Sequence, residues 1–171
     1  MADDMTPEQI AEMQKKNCVF CKIVSGEIES KKVFENENVL AILDIRPAVK
    51  GHVLVLPKQH VPILPVLPPE QQKELFSISA QTGDAVRSAM MAPRAQLFIA
   101  SGYAAGQQAP HLMIHVIPRE EGDGLEKLDL PQKDSDQADT LALGSLFGQA
   151  TQQVLAHFGR AKTQPPAPQS P

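Results

Sequence analysis

The stretch from residue 110 to residue 118 carries the side chains best suited to chemistry, and it reads Pro-His-Leu-Met-Ile-His-Val-Ile-Pro. Side chains of an extended strand alternate between its two faces, so His111, Met113 and His115 share one face. The alternate, aliphatic positions are predicted to face the core: Leu112, Ile114 and Val116. Two imidazoles beside a thioether suggest a functional site, but an amphipathic strand with exposed histidines has the same pattern. Residues further upstream must decide between these two interpretations.

A close cysteine pair, Cys18-x-x-Cys21, is the second candidate for chemistry. In a reducing compartment such a pair indicates a metal or redox role rather than a structural disulfide. A redox pair normally follows a strand and opens a helix, but this pair precedes every clear strand. A zinc knuckle needs two further ligands. His60 follows the third predicted strand and His111 begins the fifth, so adjacent strands could bring both imidazoles to one edge of the sheet.

Two further features have both a structural and a functional interpretation. Asp44 ends an apolar strand, where it is either a turn former or an acceptor for two adjacent hydroxyls such as a ribose diol. The loop Gly106-Gln107-Gln108 permits a tight turn whose amides could bind phosphate, although most loop glycines only form turns. His52 starts a predicted core strand, where a structural histidine is the commoner case.

Length and composition indicate one domain with a sizeable core, since the chain has 171 residues, of which 42% are hydrophobic and 21% charged. A net charge of −4 without a long basic run disfavours indiscriminate nucleic-acid binding, while a small anion such as a nucleotide is compatible with it. The apolar runs are too short to span a bilayer, and the first four residues are acidic where a signal peptide would be basic. We therefore expect a cytoplasmic protein that does not bind membranes.

Hydrophobic periodicity predicts five strands and three principal helices. The strands are expected at residues 32–35, 39–43, 52–56, 96–100 and 111–117. Thr6 and Gln9 form a capping box for an N-terminal helix, Pro69 opens the longest helix, which runs to about Met91, and a last helix spans residues 141–158. Hairpins with helices inserted between them, without a regular strand–helix alternation, indicate an α+β fold on a mostly antiparallel sheet.

The same periodicity predicts which helical side chains are buried and where the domain ends. The long helix is expected to bury Leu75, Ile78, Thr82, Val86 and Ala89. The last helix is expected to turn inward Leu143, Leu146, Phe147, Ala150 and Val154. Residues 1–16 form an N-terminal helical extension, residues 17–158 form the domain, and the proline-rich residues 159–171 form a disordered tail.

Taken together, these segments resemble the histidine-triad (HIT) family of nucleotide hydrolases and transferases. The resemblance covers residues 17–119, in the family's order and spacing. It rests on Cys-Val-Phe-Cys-Lys-Ile-Val-Ser-Gly-Glu-Ile at 18–28, Val-Leu-Ala-Ile-Leu-Asp-Ile at 39–45, Gly-His-Val-Leu-Val-Leu-Pro-Lys-Gln-His at 51–60, Ala-Gly-Gln at 105–107 and His-Leu-Met-Ile-His-Val-Ile-Pro-Arg at 111–119. It implies a HIT-like five-stranded antiparallel sheet with a long helix packed on it, and a homodimer formed through that helix and neighbouring strands.

The resemblance also implies a zinc site. In zinc-carrying members the metal is held by the Cys-x-x-Cys pair, by the histidine after Pro-Lys-x and by the first histidine of the triad. The matching residues of this chain are Cys18, Cys21, His60 and His111. Because such a Cys2His2 site leaves no coordination position open, the zinc would be structural rather than catalytic.

A purine nucleotide site is implied by the same resemblance. Asp44 matches the carboxylate that binds the ribose, and the base would lie between Phe20, Ile23 and Leu43. His115 could donate a hydrogen bond to the phosphate, and His52 matches a position near the triad in relatives. The residues expected along the phosphate are those of the loop: Gly106, Gln107 and Gln108.

The chain departs from the family pattern at the reaction centre. The middle histidine of the family's His-x-His-x-His motif is the nucleophile, and Met113 takes its place here. The serine of the family's Gly-Gln-Ser loop is replaced by Gln108, and an asparagine usual at the end of the fourth strand falls on Ala100. Pro110, directly before the first triad histidine, is also unusual.

These observations predict a zinc-stabilised, purine nucleotide-binding protein in which nucleotidyl hydrolase or transferase activity is impaired or absent. Two alternatives are compatible with the sequence. One is an active phosphoramidate or dinucleoside polyphosphate hydrolase that uses a non-standard residue such as His115 or His52. The other is a structural dimerisation module without a nucleotide ligand.

Overall fold

The computed structural model describes residues 6–125 and 136–161. The chain forms two compact units, Met1–Lys127 and Leu128–Pro171, and each is described here by itself. The first unit contains the sheet and every site residue singled out in the sequence. The second unit contains one long helix.

A five-stranded sheet organises the first unit. Its strands are β1 (Lys32–Glu35), β2 (Val39–Leu43), β3 (Val53–Pro57), β4 (Arg94–Phe98) and β5 (Ile114–Arg119). Their order across the sheet is β1-β2-β3-β5-β4, and every neighbouring pair is antiparallel. The α+β fold with a five-stranded antiparallel sheet is therefore confirmed.

Three of the strands begin at positions other than those predicted. β3 begins at Val53 instead of residue 52, β4 occupies Arg94–Phe98 instead of 96–100, and β5 begins at Ile114 instead of 111. His111 lies before β5 because its neighbours in the chain do not hydrogen-bond to a strand of the sheet. Pro110 has no N–H to donate, and the N–H of Leu112 donates to the carbonyl oxygen of Val61 at 2.7 Å.

Three helices accompany the sheet. α1 (Pro7–Asn17) begins with the predicted capping box, in which Thr6 and Gln9 each accept a hydrogen bond from the other's backbone N–H. α2 (Val19–Ser25) ends at Gly26, whose φ of +84° is the left-handed conformation that glycine adopts without strain. α3 (Pro69–Met90) is the longest helix of this unit and packs against β3, β4 and β5.

Side chains alternate along the strands, so the sheet has two apolar faces that contact different helices. The face beneath α3 contains Val39, Ala41, Val53, Val55, Ile114 and Val116. The opposite face contains Leu40, Ile42, Leu54 and Leu56, against which Phe20, Ile23 and Val24 of α2 pack together with Met113. The predicted division of the triad segment is therefore confirmed, since Leu112, Ile114 and Val116 lie in the first cluster while Met113 lies in the second.

The buried stripe of α3 differs in part from the prediction. The helix buries Leu75, Ser79, Thr82, Gly83 and Val86. Ile78 is only partly buried against the core, and the prediction was wrong for Ala89, which is exposed. The stripe passes instead through the small residues Ser79 and Gly83, where a Cβ on Gly83 would lie 3.5 Å from the side chain of Leu97. A small residue at position 83 thus allows α3 to approach β4 closely.

A polar network fastens the hairpin between β1 and β2 to α3. The side-chain amides of Asn36 and Asn38 donate to the two carboxylate oxygens of Glu74, at 2.8 and 2.9 Å. The side-chain oxygen of Asn36 also accepts the backbone N–H groups of Asn38 and Val39. Lys58, beyond β3, forms an ion pair with Glu35 of β1 at 2.7 Å.

The second unit contains α4 (Gln137–Ala161), which includes the predicted helix at 141–158 and extends it at both ends. The first three residues of the predicted tail are therefore helical, and residues 162–171 lie outside the described part. The prediction that the helix turns an apolar face inward was wrong, because these side chains are exposed: Leu143, Leu146, Phe147, Ala150 and Val154. α4 is the only helix or strand described in its unit, so this face has no neighbouring element there. None of the helices in the described residues is long and apolar enough to cross a bilayer.

Candidate metal centre and ligand-binding site

Four potential metal ligands from three distant segments converge beside α2. The thiol of Cys18 lies 3.5 Å from Nδ1 of His111, and the thiol of Cys21 lies 3.2 Å from Nδ1 of His60 and 3.7 Å from Nδ1 of His111. One ligand atom from each of the four residues lies within 4.8 Å of the others. The cysteines are free thiols, so no disulfide occupies this position.

Three parts of the fold place the four ligands. Cys18 is the N-cap residue of α2, and Cys21 follows within the same helix. His60 lies in the loop after β3, and His111 precedes β5. The ring of His111 is completely buried and its Nε2–H donates to the carbonyl oxygen of Pro57 at 2.9 Å. This hydrogen bond leaves the lone pair on Nδ1, which is the atom that faces the two thiols.

Burial shifts the pKa values of Cys21, His60 and His111 in the direction that favours their neutral forms. Desolvation raises the pKa of the Cys21 thiol to about 12, with a further contribution from the neighbouring Cys18. Desolvation lowers the pKa of His111 to about 4 and also lowers the pKa of His60. Neutral imidazoles are the form that binds metals, whereas the thiols need a cation to stabilise the thiolate.

The donor set fits a tetrahedral zinc ion. Zinc in proteins binds thiolate and imidazole at about 2.0–2.3 Å, which places neighbouring ligand atoms roughly 3.5 Å apart. The sulfur–nitrogen distances of 3.2–3.7 Å agree with that spacing. If zinc binds, Cys18, Cys21, His60 and His111 would hold it and would connect α2 to the start of β5.

A second polar cluster lies at the other end of the triad segment and contains Asp44, His52 and His115. Nε2 of His52 lies 3.0 Å from Nδ1 of His115, and Nδ1 of His52 lies 3.5 Å from Oδ2 of Asp44. The other oxygen of Asp44, Oδ1, accepts the N–H of Arg46 at 2.8 Å. Asp44 therefore forms the turn that sequence analysis considered and still has one oxygen available for other contacts.

The backbone determines which nitrogen of each imidazole carries the proton. The N–H of Ala48 donates to Nδ1 of His52 at 3.2 Å, so the proton of a neutral His52 is on Nε2. That Nε2–H donates to Nδ1 of His115, which places the proton of a neutral His115 on its own Nε2. Burial lowers the pKa of both imidazoles, partly offset by the carboxylate of Asp44. In this tautomer Nε2 of His115 is a hydrogen-bond donor, and its Nδ1 lone pair is occupied by the hydrogen bond from His52 and is not free to act as a nucleophile.

Met113 lies between His111 and His115 along the chain, and apolar side chains pack with it on one face of the sheet. Met113 packs with Phe20, Ile23 and Val24 against the buried leucines and isoleucine of the sheet. Leu43, at the end of β2, is 42% exposed and therefore accessible to a ligand. The structure thus places two predicted base contacts, Phe20 and Ile23, on α2, while Leu43 is carried by the sheet.

The loop predicted to follow a phosphate has a clear internal organisation. Gly106 adopts a left-handed conformation with φ +83°. The side-chain amide of Gln107 donates to the carbonyl oxygens of Pro62 and Ala109, and its oxygen accepts the N–H of Gly102. Gln107 therefore stabilises the loop, while Gln108 is exposed.

Sequence reasoning missed two contacts of His115. The hydrogen bond from His52 could not be found without knowing that Leu54 of β3 pairs with His115 of β5. The ring of Phe98 lies against the His115 imidazole, with centroids 5.8 Å apart, because Phe98 pairs with His115 across β4 and β5. Both contacts depend on strand register, which the sequence did not supply.

The fold and the two clusters define a protein of the histidine-triad type. Residues 25–122 match the HIT domain, and the chain belongs to the HIT family. An uncharacterised HIT-like protein of Mycobacterium tuberculosis (strain H37Rv) is 41% identical over 108 residues, which cover 63% of this chain and 75% of that protein.

Solved structures show the same fold. A Zn-bound histidine triad family protein from Mycobacterium smegmatis superposes with a TM-score of 0.61 and 35% identity, covering 79% of this chain and 99% of that one. A histidine triad nucleotide-binding protein from Candida albicans superposes with a TM-score of 0.72 and 25% identity, covering 81% and 99%. Members of this family thus include proteins described as zinc-bound and as nucleotide-binding.

The buried histidine predicts how stability depends on pH in metal-free protein. The pKa of His111 falls from 6.5 to about 4 on folding, so the unfolded chain binds more protons between these values. Stability is therefore present above pH 6.5 and is lost as the pH falls toward 4. From His111 alone we expect a loss of about 2 kcal/mol between pH 7 and pH 5. Urea unfolding of metal-free protein at a series of pH values measures this slope. The variant His111→Asn should have a flatter slope, and an equally steep one would show that another group is responsible.

Proposed function

We propose that this chain is a zinc-stabilised, purine nucleotide-binding protein with little or no nucleotidyl hydrolase or transferase activity. One observation carries the proposal: a thioether, Met113, lies between a complete set of potential metal ligands and a hydrogen-bonded Asp44–His52–His115 cluster. The side chains that would bind the metal and the nucleotide are present, while the side chain at the nucleophile position, Met113, contains no nitrogen.

The zinc part of the proposal rests on the donor set and on a relative. Two thiols and two imidazoles converge at distances that suit tetrahedral zinc, and a solved HIT structure from Mycobacterium smegmatis is described as Zn-bound. Zinc would supply a structural crosslink here, since four protein ligands leave no position for a substrate.

Metal analysis of the purified protein should find one zinc per chain. Changing Cys21→Ser should remove the zinc and lower the melting temperature, because the free energy of metal binding contributes to folding. The matched control is His115→Asn, which alters a histidine outside the four ligands and should retain one zinc per chain. Zinc-free protein with two freely titratable thiols would contradict the site.

Nucleotide binding is supported by the chemistry between the two clusters. Oδ2 of Asp44, which lies 3.5 Å from Nδ1 of His52, has lone pairs that can accept a ribose hydroxyl. The Nε2–H of His115 can donate to a phosphate. The apolar side chains of Phe20, Ile23 and Leu43 offer surfaces to a purine base. A solved relative from Candida albicans is described as a nucleotide-binding protein.

Calorimetric titration with AMP tests this assignment. Asp44→Ala should weaken binding by about 1–3 kcal/mol, the typical cost of losing a hydrogen bond to a charged group. Asp44→Asn is the matched variant, since its side-chain oxygen can still accept the N–H of Arg46 and preserve the turn. If AMP and 2′-deoxy-AMP bind equally well to the unmodified protein, Asp44 acts only as a turn residue.

A homodimer through α3 and β4 forms part of the proposal. β4 is an edge strand of the sheet, and its Leu97 and Phe98 are 42% and 40% exposed. Phe76 on α3 is 41% exposed. Exposed aromatic and aliphatic side chains on an edge strand and the helix packed against it suit an interface between two copies.

Light scattering at micromolar concentration should give twice the chain mass. Phe76→Glu should shift the protein toward the monomer, because it places a charge in the apolar interface. The matched control is Phe34→Glu, since Phe34 is also 41% exposed but lies on β1 at the opposite edge of the sheet. A monomer mass for the unmodified protein would contradict the dimer.

The loss of activity follows from the chemistry of position 113. The family reaction needs an imidazole nitrogen that attacks the α-phosphate and is released again when the intermediate is hydrolysed. A thioether is a poor nucleophile toward phosphorus and carries no proton to exchange. His115 does not replace the missing group easily, because its Nδ1 accepts a hydrogen bond from His52 and its Nε2 carries the proton.

This protein should hydrolyse an adenosine phosphoramidate at least about 10⁴-fold more slowly than a family enzyme that has the nucleophilic histidine. Met113→His should raise the rate, and combining it with Gln108→Ser should raise it further by supplying a hydroxyl for the leaving group. Met91→His is the matched control, since Met91 is 92% exposed at the end of α3 and should give no gain.

The hydrolysis assay and the AMP titration together separate the alternative functions. Ordinary enzymatic rates in the unmodified protein, unchanged by Met113→Ala, would favour an active hydrolase that uses His115 or His52. A zinc-loaded dimer that binds no nucleotide would favour the structural module.

A further inference from the structure

α2 belongs to both the metal centre and the ligand site. It is only seven residues long, and its N-cap residue, Cys18, provides no side-chain cap hydrogen bond. Isolated helices of this length are unstable in water, so the position of α2 depends on its tertiary contacts. None of its own residues is fully buried, although Cys18 at its start is only 2% exposed.

The contacts of α2 fall into two adjacent groups. Cys18 and Cys21 face the imidazoles of His60 and His111. Phe20 and Ile23 pack on the sheet surface that would receive the base. The two groups also meet directly, because the ring of Phe20 lies against the ring of His111 with centroids 5.9 Å apart.

The other side of the ligand site is held mainly by strand pairing. Leu43 pairs with Val53 across β2 and β3, and His115 pairs with Leu54 across β3 and β5. Asp44 is fixed by its own turn and by the hydrogen bond from its N–H to the carbonyl oxygen of His52. Strand pairing therefore holds these sheet-borne groups, whereas the position of α2 depends on its side-chain contacts, including those at the metal centre.

We infer that metal binding and base binding are thermodynamically coupled through α2. Zinc fixes the helix and orders the Phe20 and Ile23 side of the base site, so the zinc-loaded chain binds a purine nucleotide more tightly. By reciprocity, a bound nucleotide raises the affinity of the four ligands for zinc by the same factor. The inference rests on the proposed function, and it adds a means by which metal supply regulates ligand binding.

The test measures zinc release from the folded, zinc-loaded protein. A colorimetric chelator in excess removes the metal, and the release rate is compared without nucleotide, with saturating AMP and with saturating ribose 5-phosphate. AMP should slow the release about tenfold, a typical coupling between two sites. Ribose 5-phosphate has no base to lie on α2 and should leave the rate unchanged.

Two variants separate coupling through α2 from a general effect of ligand binding. Leu43→Ala removes a base contact carried by the sheet, so it should weaken AMP binding but keep the tenfold slowing once AMP is saturating. Phe20→Ala removes the contact that joins the base site to His111, so saturating AMP should no longer slow the release. Equal protection by AMP in both variants would overturn the inference.

Calorimetric measurement of AMP binding to the same samples distinguishes failure of the coupling from failure of the proposed function. If AMP does not bind to the zinc-loaded protein, the proposed function fails. If AMP binds but changes neither the zinc release rate nor the chelator concentration that removes half of the zinc at equilibrium, the function stands and the coupling is wrong.

Discussion

The antiparallel register between β3 and β5 is the constraint on which the rest of the structure depends. Val53, Leu54 and Val55 pair with Val116, His115 and Ile114. Because side chains alternate, this register turns the valines and Ile114 toward α3 and turns Leu54 and His115 toward α2 and the ligand site. A slip of one residue would place the imidazole in the core beneath α3 and would expose aliphatic side chains in its place.

Burial then determines the chemical state of the histidines that this register brings together. His111 and His52 are 0% and 5% exposed, and desolvation favours their neutral forms. Backbone groups select the tautomers: the carbonyl oxygen of Pro57 accepts from His111, and the N–H of Ala48 donates to His52. His111 thereby presents the lone pair of Nδ1 to the two thiols, while the His52–His115 pair ends in a hydrogen-bond donor. A single sheet face thus supports two different polar environments separated by an apolar side chain, Met113.

Local sequence determined much of this structure. Capping residues set the start of α1, glycine set the end of α2, and alternating hydrophobicity assigned Leu112, Ile114 and Val116 to the core. The sequence also identifies the four potential metal ligands, because their residue types and spacing match a known family. The methionine at position 113, where the resemblance to the family leads one to expect a histidine, is likewise a property of the sequence.

Only the tertiary structure decided how those residues meet. The His52–His115 hydrogen bond joins residues 63 positions apart, and the contact between Phe98 and His115 depends on the pairing of β4 with β5. Amphipathic periodicity predicted α4 but not its surroundings, since a helix pattern shows which face is apolar and not what that face contacts. The sequence alone therefore determined the elements and the candidate ligands. Strand register and burial, which depend on contacts between distant segments, decided the protonation of the histidines and the contacts of α2.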